Sequence, residues 1–125
     1  MIQANILIVE DELLIAKSIA KKLNKLGCNI AKIVASGREA IQYASEASLD
    51  LILMDIAIKG NKDGIQITNE LKNSETYKQI PIVCLSAHVL EHDKQRAYEA
   101  GADIFLEKPV RNEILLQTIR SLILT

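Results

Sequence analysis

Short runs of β-branched and aliphatic residues, each closed by a polar or turn residue, recur along the chain at Ile6 to Val9, Ile30 to Ala35, Leu51 to Met54 and Ile82 to Leu85. Runs of that length and composition predict buried strands. A weaker fifth strand is predicted at Ile104 to Leu106, after Gly101-Ala102-Asp103, a turn in which glycine can take positive φ. Between the runs the apolar spacing changes to that of helices. Leu13, Ala16, Ala20, Leu23 and Leu26 form one face stopped by Gly27, and Ile114, Leu115, Ile119 and Leu122 form another. Segments starting near Gly37, Gly64 and Val89 fill the other gaps, the last of them, Val89 to Ala100, with few apolar residues and therefore thin packing. Five strand–helix repeats with connections too long for hairpins predict an α/β fold, a parallel sheet wrapped by helices on both faces. Right-handed crossovers make it a doubly wound open sheet.

The chain of 125 residues is 49% apolar, enough for one sizeable core, and it shows no linker, repeat or low-complexity tract, so one domain over 1–125 is expected. Fifteen basic against sixteen acidic side chains give a net charge of -1, which supplies no summed field toward nucleic acid or an anionic membrane. Cys28 and Cys84 are too few and too far apart for a disulfide framework or a zinc site, and they read as buried thiols in a reducing compartment. No apolar run reaches the roughly 20 residues that span a bilayer, and no basic-then-apolar leader opens the chain, so a soluble cytoplasmic protein is expected.

In doubly wound sheets ligands bind beyond the carboxyl ends of the strands. Those ends carry Glu10-Asp11-Glu12, Ser36, Asp55, Ser86 and Glu107-Lys108-Pro109. Carboxylates gathered at one edge repel unless a cation is present, and a hard divalent ion such as Mg2+ suits Glu10, Asp11 and Asp55. With metal bound, the Asp55 carboxylate can attack a phosphoryl group. Lys108 spreads the charge that develops, and Ser86 donates to a new phosphate oxygen, drawing its loop inward as a switch. Each residue also has a blander reading. Asp11 would serve as a helix N-cap and Asp55 as a turn cap, Lys108 as a solvated cation, and Pro109 as the first residue of the last helix. Those readings do not predict the joint placement of acid pair, acid, hydroxyl and lysine at successive strand ends.

With Ile6-Leu7-Ile8-Val9-Glu10-Asp11-Glu12, Leu51-Ile52-Leu53-Met54-Asp55, Asp63-Gly64, Leu85-Ser86-Ala87, Ala100-Gly101-Ala102-Asp103 and Glu107-Lys108-Pro109, the sequence resembles the receiver domain of two-component response regulators over essentially its whole length. The resemblance implies the flavodoxin-like strand order 2-1-3-4-5. It implies that Asp55 takes a phosphoryl group from a histidine kinase or a histidine phosphotransfer protein. Mg2+ (or Mn2+) would be held by Glu10, Asp11, Asp55 and the backbone carbonyl of Ala57, with Ser86 and Lys108 on the phosphate. Ser86 and Phe105 would form the switch pair, while Ala57, Ala87 and His88 would flank the phosphoryl group. An output surface of the fourth helix, fifth strand and last helix would meet a downstream protein or domain, as a monomer or a phosphorylation-dependent dimer.

Two departures from the family pattern stand out. The loop from Ile56 to Gly64 lacks the rigid proline common there, which predicts a more mobile loop. Phe105 replaces the commoner tyrosine, so an inward ring offers no hydroxyl. His88 and His92 stand four apart and read as surface residues. Three other readings compete. An aspartate-based phosphatase would want a second aspartate where Ala57 stands. A flavin carrier would want a hydroxyl-rich first loop where this one is acidic. A receiver that only docks proteins would not need the five site positions.

Overall fold

The computed structural model describes residues 2–58, 63–87 and 90–123. Strands β1 (Asn5–Val9), β2 (Asn29–Val34), β3 (Leu51–Asp55), β4 (Ile82–Ser86) and β5 (Ile104–Glu107) alternate with helices α1 (Leu13–Lys25), α2 (Gly37–Ala44), α3 (Gly64–Lys72), α4 (Glu91–Glu99) and α5 (Asn112–Ile123). All pairings are parallel, in the order β2-β1-β3-β4-β5. The expected doubly wound, flavodoxin-like sheet is the one observed. The segment 59–62, in the middle of the loop without proline, and His88 and Val89 lie outside the described residues.

Side chains alternate faces along a strand, and here the alternation separates two cores. Leu7, Val9, Ile52, Met54, Ile82, Cys84 and Phe105 pack with Ala40, Ile65, Ile67, Leu71 and Ala97 from α2, α3 and α4. Ile6, Ile8, Leu51, Leu53, Val83 and Leu85 pack with Ala16, Ile19, Leu23, Leu115 and Ile119 from α1 and α5. Each fully buried Leu or Ile contributes about 1.5–3 kcal/mol, so the central strands, buried on both faces, hold the frame in which the strand ends sit.

The helix faces differ in detail from those read in the sequence. Ala16, Ile19 and Leu23 are buried on α1, whereas Leu13 points outward; on α5 the buried residues are Leu115, Thr118 and Ile119, with Ile114 exposed. Leu90 is the N-cap of α4 rather than part of its apolar side, and Ala97 is its one buried residue. Pro109 does not open α5. Val110 is drawn into the core and its carbonyl accepts from Lys22 Nζ at 2.6 Å, so the helix closes its first turn only from Leu115 N–H to the Arg111 carbonyl. On β2 the register skips Ala31, whose carbonyl accepts instead from the Tyr43 hydroxyl at 3.0 Å.

Both cysteines are buried and free. Burial pushes the Cys84 thiol up to about 11, with Thr68 Oγ1 3.5 Å from its sulfur. Raising a thiol from 9 to 11 cuts its thiolate fraction at pH 8 from about one in ten to about one in a thousand. Cys84 is therefore expected to resist iodoacetamide in the native protein and to react on unfolding in urea; fast native labelling, read by peptide mass, would contradict the burial.

Candidate functional site

The pairing that builds the sheet continues one residue past the strand ends. Glu10 N–H donates to the Val34 carbonyl at 2.9 Å, Ile56 N–H to Leu85 at 3.0 Å, and Lys108 N–H to Ser86 at 2.7 Å. These bonds carry Glu10, Asp55, Ser86 and Lys108 to one edge on rigid backbone. Glu10, Asp55 and Lys108 share the parity of the strand residues that face α1 and α5, which aims their side chains at one another. Ser86 and Phe105 have the opposite parity and lie with the α2–α3–α4 side.

Lys108 Nζ lies 2.9 Å from Glu10 Oε1 and 3.5 Å from Asp55 Oδ1. Glu10 and Asp55 are each only 3% exposed, and Ser86 5%. Glu12 N–H donates to Glu10 Oε2 at 3.2 Å, and Ala57 N–H to Asp55 Oδ1 at 3.1 Å. Asp55 thus does cap the turn that follows it, while it also faces the lysine. Asp11 does not cap α1; Glu12 is the N-cap and makes no side-chain cap bond.

Burial raises the Glu10 carboxyl above its ordinary value; the Lys108 hydrogen bond opposes that shift and the Asp55 carboxylate adds to it. Burial also works against the Lys108 ammonium, but the hydrogen bond to Glu10 and the Asp55 and Glu10 charges outweigh it and leave its pKa raised. The lysine stays charged between two acids. Carboxylate oxygens of Glu10, Asp11 and Asp55 all lie within 4.8 Å of one another, the one such cluster among the described residues. Three hard oxygens gathered where one ammonium cannot neutralise them all fit a divalent cation of the magnesium kind.

The Response regulator receiver domain family model matches residues 6–120. The chain belongs to that family. Among relatives of this receiver domain, the polar-differentiation response regulator DivK of Brucella ovis is 31% identical over 117 residues, 94% of each chain. The receiver domain of sensor histidine kinase PA1611 from Pseudomonas aeruginosa PAO1, solved with a magnesium ion coordinated in its active-site cleft, superposes with a TM-score of 0.88 at 30% identity, over 99% of this chain and all of that one. The receiver domain of a signal transduction histidine kinase from Syntrophus aciditrophicus does so with a TM-score of 0.86 at 31% identity, over 96% of this chain and 89% of that one. The protein is a receiver domain of two-component signalling, a switch rather than a conventional enzyme by family.

Of the residues picked out in the sequence, the receiver's structure brings Glu10, Asp11, Asp55 and Lys108 together. Ser86 ends β4 at the same edge, Phe105 is buried in β5 and Ala57 is exposed beside Asp55, while Ala87 is exposed one residue past Ser86. Lys22 was not singled out. A lysine in the last turn of a helix reads as a dipole partner, and nothing local signals its bond to Val110, 88 residues away. No described helix is long and apolar enough to cross a membrane.

Proposed function

We propose that this chain is a single phosphoacceptor domain over 1–125, in which Asp55 takes a phosphoryl group from a phosphohistidine on a kinase or phosphotransfer protein. The observation that carries the reading is the buried Asp55 carboxylate, with one oxygen facing Lys108 at 3.5 Å and Ala57 N–H at 3.1 Å. A carboxylate oxygen attacks phosphorus, the phosphorus–nitrogen bond breaks, and the imidazole leaves. Lys108 is placed to follow the charge from Asp55 onto the phosphoryl oxygens. Ser86 donates its hydroxyl to one of them. Glu10, Asp11, Asp55 and the Ala57 carbonyl would hold Mg2+ or Mn2+, which when bound neutralises the carboxylates and the phosphoryl oxygens. Ala57 and Ala87 flank the phosphoryl group, a role the family resemblance extends to His88, and they set how readily water reaches it, so the domain governs its own dephosphorylation.

A groove of about 400 Å³ opens beside Lys108, between α1 and the loop after β5, with Leu14, Ile15 and Pro109 on its walls. Leu14 is 83% exposed there, which suits an apolar helix of the histidine-bearing partner. The output surface is α4, β5 and α5. It meets a downstream protein or domain, because α4 buries only Ala97 and is free to move. The same reading places the protein in the cytoplasm, where thiols stay reduced.

The test uses acetyl phosphate as a donor that needs no partner. With magnesium, intact mass is expected to rise by one phosphoryl group, and a chelator is expected to abolish the gain. No gain where calorimetry shows the metal bound would leave a domain that only docks proteins, whereas rapid multiple turnover of the donor would mark a phosphatase.

A further inference from the structure

β5 closes the sheet, so among the described residues no strand pairs with its outer side. Backbone groups alternate sides along a strand. Lys108 N–H turns inward to the Ser86 carbonyl, and Phe105 N–H, an odd number of residues away, faces the outer edge. There it donates to the Tyr98 hydroxyl of α4 at 3.2 Å. Tyr98 itself is 44% exposed, with its ring on the outside of a helix that buries only Ala97. A single hydroxyl thus adds a polar tie between α4 and the strand that carries Phe105.

The tie runs through the backbone at Phe105 rather than through its side chain. A phenylalanine side chain has no hydrogen bond to gain or lose when it moves, but its main-chain N–H does. We propose that Tyr98 is a positioning residue of the switch. Its hydroxyl holds the Phe105 amide and keeps α4 seated while Asp55 is unmodified, and release of that bond carries a change at Phe105 to the exposed face of α4. The trigger rests on the phosphoacceptor reading; the seating of α4 does not. The opposite edge supplies a built-in comparison, because Tyr43 also bonds edge backbone, at the Ala31 carbonyl of β2, yet lies away from Ser86 and Phe105.

Amide hydrogen exchange of the full chain tests this in wild type, Tyr98→Phe and Tyr43→Phe, with and without magnesium and beryllofluoride, a mimic of a phosphorylated carboxylate. In Tyr98→Phe without the mimic, the Phe105 amide and those of 91–99 are expected to exchange about tenfold faster, as loss of one net hydrogen bond implies. The β1 and β3 amides are expected to stay unchanged. Wild type is expected to reach the same state on adding the mimic, and Tyr43→Phe to behave as wild type at Phe105. Equal Phe105 protection in wild type and Tyr98→Phe would overturn the seating role. Unchanged Phe105 protection in wild type with fluorine NMR showing the mimic bound would overturn the coupling to Asp55. Failure of the mimic to bind would count against the phosphoacceptor reading instead, with the Tyr98→Phe comparison still deciding whether the hydroxyl seats α4.

Discussion

The Asp55→Asn variant is expected to gain no phosphoryl group from acetyl phosphate under conditions where wild type gains one, and to fold as well as wild type. An amide oxygen is a poor nucleophile, so the chemistry fails at the first step. Asparagine keeps the shape of the side chain and can still accept from Ala57 N–H, so the turn after β3 survives. The Glu10–Lys108 pair at 2.9 Å remains, now without a second carboxylate beside it. In metal-free buffer, loss of attraction to Lys108 and loss of repulsion from Glu10 oppose each other, which holds the change in stability to about 1 kcal/mol. Magnesium separates the two proteins further. At a hundred times its Kd a ligand stabilises the folded state by about 2.7 kcal/mol, and Asp55→Asn should lose most of that gain because one of three clustered carboxylates has gone. Thermal unfolding with and without magnesium, beside intact-mass measurement, checks both parts. Full phosphorylation of the variant would move the acceptor to another residue, and an equal magnesium effect in both proteins would take Asp55 out of the metal's reach.

The central strands were legible because burial on both faces makes them near-continuous apolar runs. Ile6 to Val9 lies within β1, and Leu51 to Met54 and Ile82 to Leu85 each fall one residue short, because β3 ends on Asp55 and β4 on Ser86. Those polar residues end the apolar run but not the hydrogen bonding, since Asp55 still pairs with Leu85 and Ser86 with Glu107. Asp55 and Ser86 were therefore read correctly as strand ends but placed just outside the strands, whereas Glu10 and Lys108 do follow the last residues of β1 and β5. Edge strand β2 shifted by a residue for a related reason: it is half exposed and its register skips Ala31, so its apolar pattern is weaker. The blander reading of Pro109 as the first residue of the last helix fails because proline signals a helix locally, while Val110 and Lys22 hold that stretch by contacts distant in sequence. Tyr98 was invisible for the same reason. Its bond to Phe105 needs both the helix face and the sheet edge to be known.

Gly64→Ala is expected to destabilise the fold by about 3 kcal/mol, at the upper end of what overpacking costs. Helix propensity alone points the other way, since alanine is favoured over glycine by about 1 kcal/mol within a helix. The contact decides the sign. Gly64 opens α3 and donates its N–H to the Ile56 carbonyl at 3.1 Å, which lays the helix start directly on the end of β3. A Cβ there overlaps the Asp55 carbonyl oxygen and comes within 2.7 Å of Ile56 Cα. These are backbone atoms at the end of a central strand, held by pairing with Leu85 of β4, and no rotamer change relieves them. The helix must shift instead, taking with it Ile65, Ile67 and Leu71 from the core and the Asp63–Gln66 capping box. Gly37→Ala is the control. Its Cβ would overlap Cγ1 and Cδ1 of the buried Ile67, side-chain atoms that a rotamer change can move at a packing cost rather than backbone, so that variant should lose stability too, but less. Urea unfolding of the three proteins measures the difference. Because the helix start that shifts lies directly on the Asp55 carbonyl, Gly64→Ala should also accept phosphate more slowly than its folded fraction explains. A variant as stable as wild type would mean that the start of α3 slides without cost, and then Gly64 would not be what sets the backbone beside Asp55.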